Sequence, residues 1–210
     1  MAGLQIGDRA PTFRLPSAQG PIVDSSDFLG RSSLIVWFTK GFGCPYCRVQ
    51  MSLLIRALAK FRELGADLVM ITRTAQTRAR MYAERFPLTL PYLVDEDTAV
   101  RRAWGLDLRP KPVHWYLGKL MRIRHDELPS SDFGSSSMLG GPPGVWTSPS
   151  DFVKVLADED TGLFIVDRSG VIRFVNAGAM RANDGLGEVW QLPTNDEIIE
   201  VLKGLQRGDA

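Results

Sequence analysis

The sequence predicts an α/β fold in which strands alternate with helices. Two apolar runs, residues 34–38 and 66–72, have the β-branched and aromatic composition of strands that are buried on both faces. A helical periodicity separates these runs, and residues 162–175 contain two further apolar segments around a D-R-S-G turn, which predicts a β-hairpin. Strands that alternate with helices and end in a hairpin are typical of one α/β domain.

The other elements follow from local patterns. Residues 12–16 and 21–24 are short extended pieces joined by Q-G-P, which predicts a hairpin before the core. From Arg48 to Leu64 apolar residues recur every three or four positions and Gly65 follows, which predicts an amphipathic helix that ends at the glycine. Similar signals predict helices at 74–86 and 96–104, a short strand at 90–95, and a closing helix at 195–205 capped by Thr194 or Asn195.

Residues 107–160 interrupt this regular order. Much of the segment is rich in Ser, Gly and Pro, and such long loops in compact domains are usually lids, interface arms or disorder. A simple surface excursion and a lid or dimer arm both stand as interpretations, and the second allows a homodimer. Aromatic residues favour an ordered segment that covers something: Trp115, Tyr116, Phe133, Trp146 and Phe152. We therefore expect residues 1–210 to form a single domain with an insertion at 107–160.

The composition excludes several classes of partner. Lys and Arg number 25 against 24 Asp and Glu, so the net charge of +1 creates no field that would recruit nucleic acid or an anionic membrane. No apolar stretch approaches the roughly 18 residues of a spanning helix, and the N-terminus lacks a basic segment followed by an apolar one. The sequence thus predicts a cytoplasmic protein with neither a nucleic-acid nor a membrane partner.

Both cysteines of the chain, Cys44 and Cys47, lie in T-K-G-F-G-C-P-Y-C, directly after the first buried strand. Pro45 suits the first position of a helix, which makes Cys44 the N-cap and puts Cys47 one turn inside. Residues at i and i+3 are close enough for a disulfide after a small adjustment. The helix N-terminus, aided by Lys40 and Arg48, favours a thiolate, so we expect at least one cysteine to have a lowered pKa.

Two non-redox roles for the pair are weak. A disulfide across four residues closes almost no loop, so it would stabilise the fold little. A structural zinc site normally needs four ligands, and the only histidines, His114 and His125, are eleven positions apart. One chain is therefore predicted to bind no metal, although two chains could pool their cysteines, and no cofactor is predicted. Redox chemistry of the dithiol remains as the main interpretation.

Four motifs together resemble a known family. They are G-D-R-A-P-T-F-R-L-P, D-F-L-G-R-S-S-L-I-V-W-F, F-G-C-P-Y-C and G-L-F-I-V-D-R-S-G-V-I-R-F-V. The combination resembles the peroxiredoxin-like branch of the thioredoxin-fold superfamily, also called the alkyl hydroperoxide reductase and thiol-specific antioxidant family, over about residues 3–105 and 160–206. The resemblance implies a thioredoxin-like fold, with a central mixed β-sheet flanked by helices, and thiol chemistry at the first core helix. We expect an external thioredoxin- or glutaredoxin-like dithiol to be the reductant.

The chain departs from the family at several positions. Typical members carry a Pro and a Thr ahead of the attacking cysteine, and with Cys47 as the attacker these positions hold Lys40 and Cys44. With Cys44 as the attacker neither residue is restored. The Arg that usually precedes the late strand aligns with Thr161, and Gly162 lies near the position of the cis-proline of thioredoxins and glutaredoxins.

Three functions stay open on this basis. The dithiol could reduce a substrate disulfide, with Cys44 attacking and Cys47 closing the Cys44–Cys47 bond, or it could reduce a peroxide through a sulfenic acid to the same disulfide. A third alternative is a redox-sensing binding module with little turnover. Phe42 could either cover the thiols or meet a substrate. The supporting or substrate-facing residues predicted beside Cys44 and Cys47 are Lys40, Phe42, Gly43, Pro45, Arg48, Thr161 and Gly162.

Overall fold

The computed structural model describes residues 3–86, 88–106, 132–133, 161–177 and 193–208. The insertion predicted at 107–160 therefore lies outside the described residues except for Asp132 and Phe133. Its proposed role as a lid or dimer arm, and the single-domain boundary of 1–210, stay predictions. Of the aromatic residues singled out in that insertion, Phe133 alone is among those described.

The described elements follow the predicted order. The strands are β1 (Arg14–Pro16), β2 (Ile22–Asp24), β3 (Ser33–Thr39), β4 (Ala66–Thr72), β5 (Tyr92–Val94), β6 (Gly162–Val166) and β7 (Ile172–Ala177). The α-helices are α1 (Pro45–Glu63), α2 (Gln76–Arg85), α3 (Ala99–Ala103) and α4 (Asn195–Arg207), and a short 3-10 helix spans Ser25–Phe28. Helix ends differ from the predicted ones by at most three residues, as expected where end turns fray.

A mixed sheet of five strands forms the centre, in the order β5-β4-β3-β6-β7. Strand β3 runs parallel to β4, and β4 runs parallel to β5, whereas β6 is antiparallel to both β3 and β7. Strands β1 and β2 pair with each other as a separate hairpin. The predicted mixed sheet with an N-terminal hairpin is therefore confirmed.

Strand β3 supplies alternate residues to two apolar clusters, one on each face of the sheet. Ile35 and Trp37 belong to the cluster that also contains both cysteines and the inner face of α1. Leu34, Val36 and Phe38 belong to the opposite cluster. This separation follows from the period of two along a strand, and it explains why the whole run is apolar. The cysteines thus lie on the α1 face of the sheet.

Helix α1 is held on this face from both sides. Apolar side chains spaced by three and four, Met51, Leu54, Leu58 and Phe61, are buried against the sheet. Each such side chain contributes about 1.5–3 kcal/mol on burial. Helix α4 packs beside α1, where the Asn195 amide donates to the Leu53 carbonyl at 2.9 Å. No helix in the described part of the chain is both long and apolar enough to cross a membrane.

The capping of α4 is of the kind that the sequence predicted. Thr194 is the N-cap, and its hydroxyl accepts the backbone N–H of Glu197. Glu197 in turn accepts the Thr194 backbone N–H at 2.7 Å, which completes a capping box. The capping box therefore defines where helix α4, which packs beside α1, begins.

Candidate active site

The loop from β3 to α1 carries the dithiol and turns at Gly41. Gly41 has φ of +82°, a conformation that favours glycine. A Cβ there would lie 2.8 Å from the Tyr92 hydroxyl oxygen, 2.9 Å from Thr74 Oγ1 and 3.0 Å from Thr72 Oγ1. The loop therefore packs directly on these three hydroxyl groups, which we call the hydroxyl floor. A side chain at residue 41 would push the loop away from them.

Cys44 caps the N-terminus of α1, as the sequence predicted. Its sulfur accepts the backbone N–H of Cys47 at 3.4 Å, and Pro45 occupies the first turn. Both cysteines are reduced and buried, with 7% of Cys44 and 3% of Cys47 exposed. Cys44 is thus the slightly more exposed residue, and its sulfur receives the backbone donor and the positive end of the helix.

Cys47 is in a different electrostatic environment. Burial raises its pKa well above the ordinary value, and hydrogen bonding to Cys44 and the charge of Cys44 raise it further. The Thr39 hydroxyl and the Lys40 backbone N–H oppose this shift, because both hydrogen-bond the Cys47 sulfur and lower its pKa. The expectation of a lowered pKa is therefore wrong for Cys47, since desolvation outweighs the donors. For Cys44 that expectation stays a prediction.

Arg48 brings a buried positive charge to the pair. It is 2% exposed, and its Nη1 donates to the Phe42 carbonyl at 2.7 Å. Burial lowers the pKa of the guanidinium, but its attraction to Cys44 and then to Cys47 raises it. By the same attraction Arg48 stabilises a thiolate on either sulfur, and it ties the cysteine loop to the first turn of α1.

Aromatic rings cover the loop. Phe42 is fully buried, with its ring centroid 4.5 Å from that of Tyr82, 5.2 Å from Phe86 and 5.6 Å from Phe133. We refer to Phe42, Tyr82, Phe86 and Phe133 as the aromatic cluster. The Phe42 ring is therefore itself covered by other rings and does not face solvent.

The described piece of the insertion is docked on α1. Asp132 forms an ion pair with Arg56 at 2.7 Å, and its backbone N–H donates to Ser52 Oγ at 2.8 Å. The next residue, Phe133, is 4% exposed and packs in the aromatic cluster. At least this part of the insertion therefore lies over the cysteine loop.

The remaining predicted site residues gather at the same edge of the sheet. Lys40 and Gly43 are half-buried parts of the loop itself. Gly162 is the first residue of β6, pairs with Phe38 near the end of β3, and is covered by Leu106, whose methyl groups would lie 3.1–3.2 Å from a Cβ there. Thr161 directly precedes it. Topology thus brings the start of β6 to the cysteine edge, as the family motifs implied.

Two residues that meet at the end of β3 were missed from the sequence. Thr39 ends β3 with its side chain on the face of Ile35 and Trp37, so strand alternation could have identified it. Arg101 of α3 is fully buried and donates from Nη2 to the Thr39 carbonyl at 3.0 Å. Nothing in the sequence distinguishes Arg101 from an ordinary surface arginine, because its burial depends on the packing of α3.

Comparison with known proteins adds an independent line of evidence. The model of the AhpC/TSA family matches residues 6–126. A putative peroxiredoxin of Mycobacterium tuberculosis is 34% identical over 99 residues, which are 47% of this chain and 62% of the relative. Peroxiredoxin Bcp of Escherichia coli K12 is 31% identical over 106 residues, 50% of this chain and 67% of the relative. The match thus spans about three fifths of the length of the mycobacterial relative.

Solved structures agree on the fold. Peroxidoxin BcpB from Mycobacterium tuberculosis superposes with a TM-score of 0.58 over 97% of both chains at 16% identity. AhpC of Mycobacterium tuberculosis gives a TM-score of 0.60 over 99% of this chain and 96% of its own at 16% identity. These likenesses confirm the thioredoxin-like fold. The matched family model spans more than half of the sequence and includes the cysteine loop, and the chain therefore belongs to the AhpC/TSA family.

Proposed function

We propose that the protein is a thiol-dependent peroxide reductase that cycles between a Cys44–Cys47 dithiol and disulfide. Membership of the AhpC/TSA family and relatives named as peroxiredoxins support this activity. The dithiol at the start of α1 supplies the two electrons that the reaction needs. A redox-sensing binding module with little turnover is not favoured by these relatives.

The burial of Cys44 favours a small oxidant as the substrate. Cys44, the helix-capping sulfur, is only 7% exposed, and the ring of Phe42 beside it is fully buried. A protein disulfide could reach so buried a residue only after the surrounding chain moved, whereas a peroxide needs little room. Gly162, which lies near the position that docks substrates in thioredoxins, is a paired strand residue beneath Leu106. Both features favour peroxide over a protein disulfide.

The proposed reaction begins with attack of the Cys44 thiolate on a peroxide oxygen. The O–O bond breaks, an alcohol or water leaves after protonation, and Cys44 becomes a sulfenic acid. Cys47 then attacks the Cys44 sulfur, water leaves, and the Cys44–Cys47 disulfide forms. Arg48 stabilises the thiolate in each step, because its charge lies beside both sulfurs. An external dithiol returns the pair to the reduced state.

The proposal extends to the reductant, the compartment and the oligomeric state. A thioredoxin- or glutaredoxin-like dithiol fits as the reductant, because the disulfide joins neighbouring residues of one chain. The dithiol also fits a reducing compartment, so we propose that the protein is an antioxidant enzyme of the cytoplasm. A homodimer that uses the insertion at 107–160 stays a prediction.

The test is a turnover assay with thioredoxin and its reductase. Hydrogen peroxide, an alkyl hydroperoxide and a protein disulfide are compared as substrates for the wild type, Cys44→Ser and Cys47→Ser. We expect peroxide consumption by the wild type that Cys44→Ser abolishes and Cys47→Ser slows strongly. If the protein disulfide were reduced and peroxides were not, the enzyme would be a disulfide reductase. If both substitutions left every activity intact, the proposed chemistry would be wrong.

A further inference from the structure

Helix α2 has two faces of different character. Its inner face carries Ala79 and Tyr82, which are buried in the core. The opposite face consists of exposed residues spaced by three and four along the helix. These are Thr77, Arg80, Met81, Glu84 and Arg85. We call these five residues the outer face of α2.

The outer face lies next to the cysteine loop. Tyr82, on the inner side of the same helix, packs on Phe42 with ring centroids 4.5 Å apart. The Phe42 carbonyl accepts Arg48 Nη1 at 2.7 Å, and Phe42 is two residues before Cys44. An α-helix with its side chains is about 10 Å across, so the outer face is about one helix diameter from this loop.

The outer face is positively charged. Residues 73–86 contain four arginines and one acidic residue, Glu84, whereas the whole chain is almost balanced, with 25 basic and 24 acidic side chains. Arg80 and Arg85 are both exposed, and neither forms an ion pair with another residue that the structure describes. Their charge is therefore available to a partner.

An apolar side chain lies between these charges. Met81 is 41% exposed, follows Arg80 in the sequence and is one turn before Arg85. Methionine and arginine are both enriched where proteins bind each other, and protein interfaces commonly have an apolar centre with a polar rim. The outer face therefore fits an acidic protein surface better than a small anion, which would make no use of the Met81 side chain.

We propose that the outer face of α2 docks the protein dithiol that reduces the Cys44–Cys47 disulfide, by binding an acidic surface beside that protein's thiols. The proposal rests on the dithiol cycle proposed above. A protein interface covers about 800 Å² on each partner, a patch roughly 30 Å across, so one partner can contact α2 and the cysteine loop together. Complementary charge then steers the encounter and fixes the orientation of the two proteins.

Docking matters because the disulfide is not freely accessible. Cys44 is only 7% exposed, so the loop must move before a protein thiol can reach its sulfur. A partner that is held on α2 stays beside the loop while this happens, which raises its effective concentration. The outer face thus acts on the encounter and takes no part in the bond changes.

The electron transfer is thiol–disulfide exchange. A thiolate of the docked protein attacks the Cys44 sulfur, the Cys44–Cys47 bond breaks, and Cys47 leaves with the electron pair and takes up a proton. The second thiolate of the docked protein then attacks its own partner sulfur in the mixed disulfide, and Cys44 leaves as a thiolate. This chain gains two electrons, and the docked protein ends as a disulfide.

The test follows reduction of the disulfide by a thioredoxin of net negative charge and, separately, by dithiothreitol. The disulfide is formed with diamide beforehand, so the readout does not depend on peroxide turnover. We expect Arg80→Glu with Arg85→Glu to lower the second-order rate constant with thioredoxin about tenfold, because charge steering raises association rates by that order. The rate with dithiothreitol should stay the same, since a small neutral reductant needs no docking surface.

Arg9→Glu with Arg31→Glu is the matched control, with the same change in net charge. Both arginines are exposed, and Arg31 lies just before β3, at the end of that strand opposite the cysteine loop. Arg9 pairs with Val171 near the same end. Strand β3 is roughly 20 Å long, about twice the distance over which salt screens exposed charges, so this pair should leave the thioredoxin rate unchanged.

An equal loss of the thioredoxin rate in both double variants, or an equal loss with dithiothreitol, would overturn the proposal. So would a wild-type rate with thioredoxin that does not fall between about 20 mM and about 300 mM salt. If charge reversal disturbs α2, Arg80→Gln with Arg85→Gln should give a smaller loss in the same direction. A docking effect in a protein that consumes no peroxide would reject only the peroxide cycle, whereas a chain that forms no Cys44–Cys47 disulfide would reject both.

Discussion

Cys44 and Cys47 are the same residue type three positions apart, but their surroundings differ. Cys44 receives a backbone N–H at the helix start, whereas Cys47 lies deeper and has a pKa raised chiefly by burial. A dithiol in which one sulfur caps the helix and the other lies one turn inside suits ordered attack and resolution. At the residue scale, the chemistry depends on how charge is stabilised at each sulfur.

Arg48 provides the first prediction at this scale. Replacing it with Met keeps much of the side-chain volume but removes the charge beside both sulfurs. We expect the pH profile of thiol reactivity with peroxide to move up by about one unit, since a thiolate that loses a cation has a raised pKa. At pH 7 the rate should fall about tenfold, measured by stopped-flow oxidation of the reduced protein.

Arg56→Met is the matched control for this experiment. Arg56 lies two turns further along α1, is exposed, and pairs with Asp132 rather than with a thiol. Its replacement should leave the pH profile of thiol reactivity unchanged. Equal shifts for the two variants would mean that the effect is a general change in α1, and not the charge of Arg48.

Gly41 carries the second prediction at the residue scale. Gly41→Ala forces a Cβ to 2.8 Å from the Tyr92 hydroxyl at a positive φ, whereas a Cβ at Gly30, which has φ of +74°, would meet no atom within 4 Å. Gly30→Ala should therefore cost only the backbone strain, about 1–2 kcal/mol. Gly41→Ala should cost at least about 1 kcal/mol more in urea unfolding. Equal losses would show that the hydroxyl floor does not constrain the loop.

At the scale of elements, the junction of β3 and α1 builds the site. The strand ends at Thr39, the loop turns at Gly41, and the helix starts at Pro45 with Cys44 as its cap. Apolar periodicity and the proline position predicted this junction and the N-cap from the sequence alone. They did not predict the hydroxyl floor, because Thr72, Thr74 and Tyr92 come from other parts of the chain and meet the loop only after the sheet has formed.

The contacts of the aromatic cluster could not be predicted from the sequence either, because they join residues that are still further apart in the chain. The sequence marked Phe133 as one of several aromatics that should cover something, but not what it covers. In the structure it packs on Phe42 and Phe86, which lie far earlier in the chain. Contacts of this separation depend on tertiary packing, and local patterns carry no signal for them.

Phe133 therefore provides the prediction at this scale. Phe133→Ala removes a buried ring from the aromatic cluster and should reduce the free energy of unfolding by about 3 kcal/mol. We also expect faster reaction of Cys44 with a bulky disulfide reagent, because Phe42 loses part of its cover. Asp132→Asn changes only an exposed ion pair and is the control, with little effect on either measurement. Unchanged reactivity in Phe133→Ala would mean that the cluster does not limit access.

At the scale of the whole molecule, the fold brings two distant parts of the chain to one edge. Strand β6 pairs with β3 so that Gly162 lies beside Phe38, and the motif found late in the sequence meets the cysteine loop. Family membership and the mixed sheet were predictable because the motifs are specific and the strands strongly apolar. The burial of Thr39 and Arg101 was not, since it depends on the packing of the complete fold.

The central claim is that one chain reduces a peroxide with its own two thiols, and peptide mapping after a single oxidation tests it most directly. Reduced protein is treated with one equivalent of hydrogen peroxide, then alkylated, digested and analysed by mass spectrometry. The account predicts a Cys44–Cys47 disulfide within each chain, with two thiols lost for each peroxide consumed, and a sulfenic acid trapped at Cys44 in Cys47→Ser. A sulfenic acid trapped at Cys47 in Cys44→Ser but none at Cys44, or a disulfide only between chains, would contradict it.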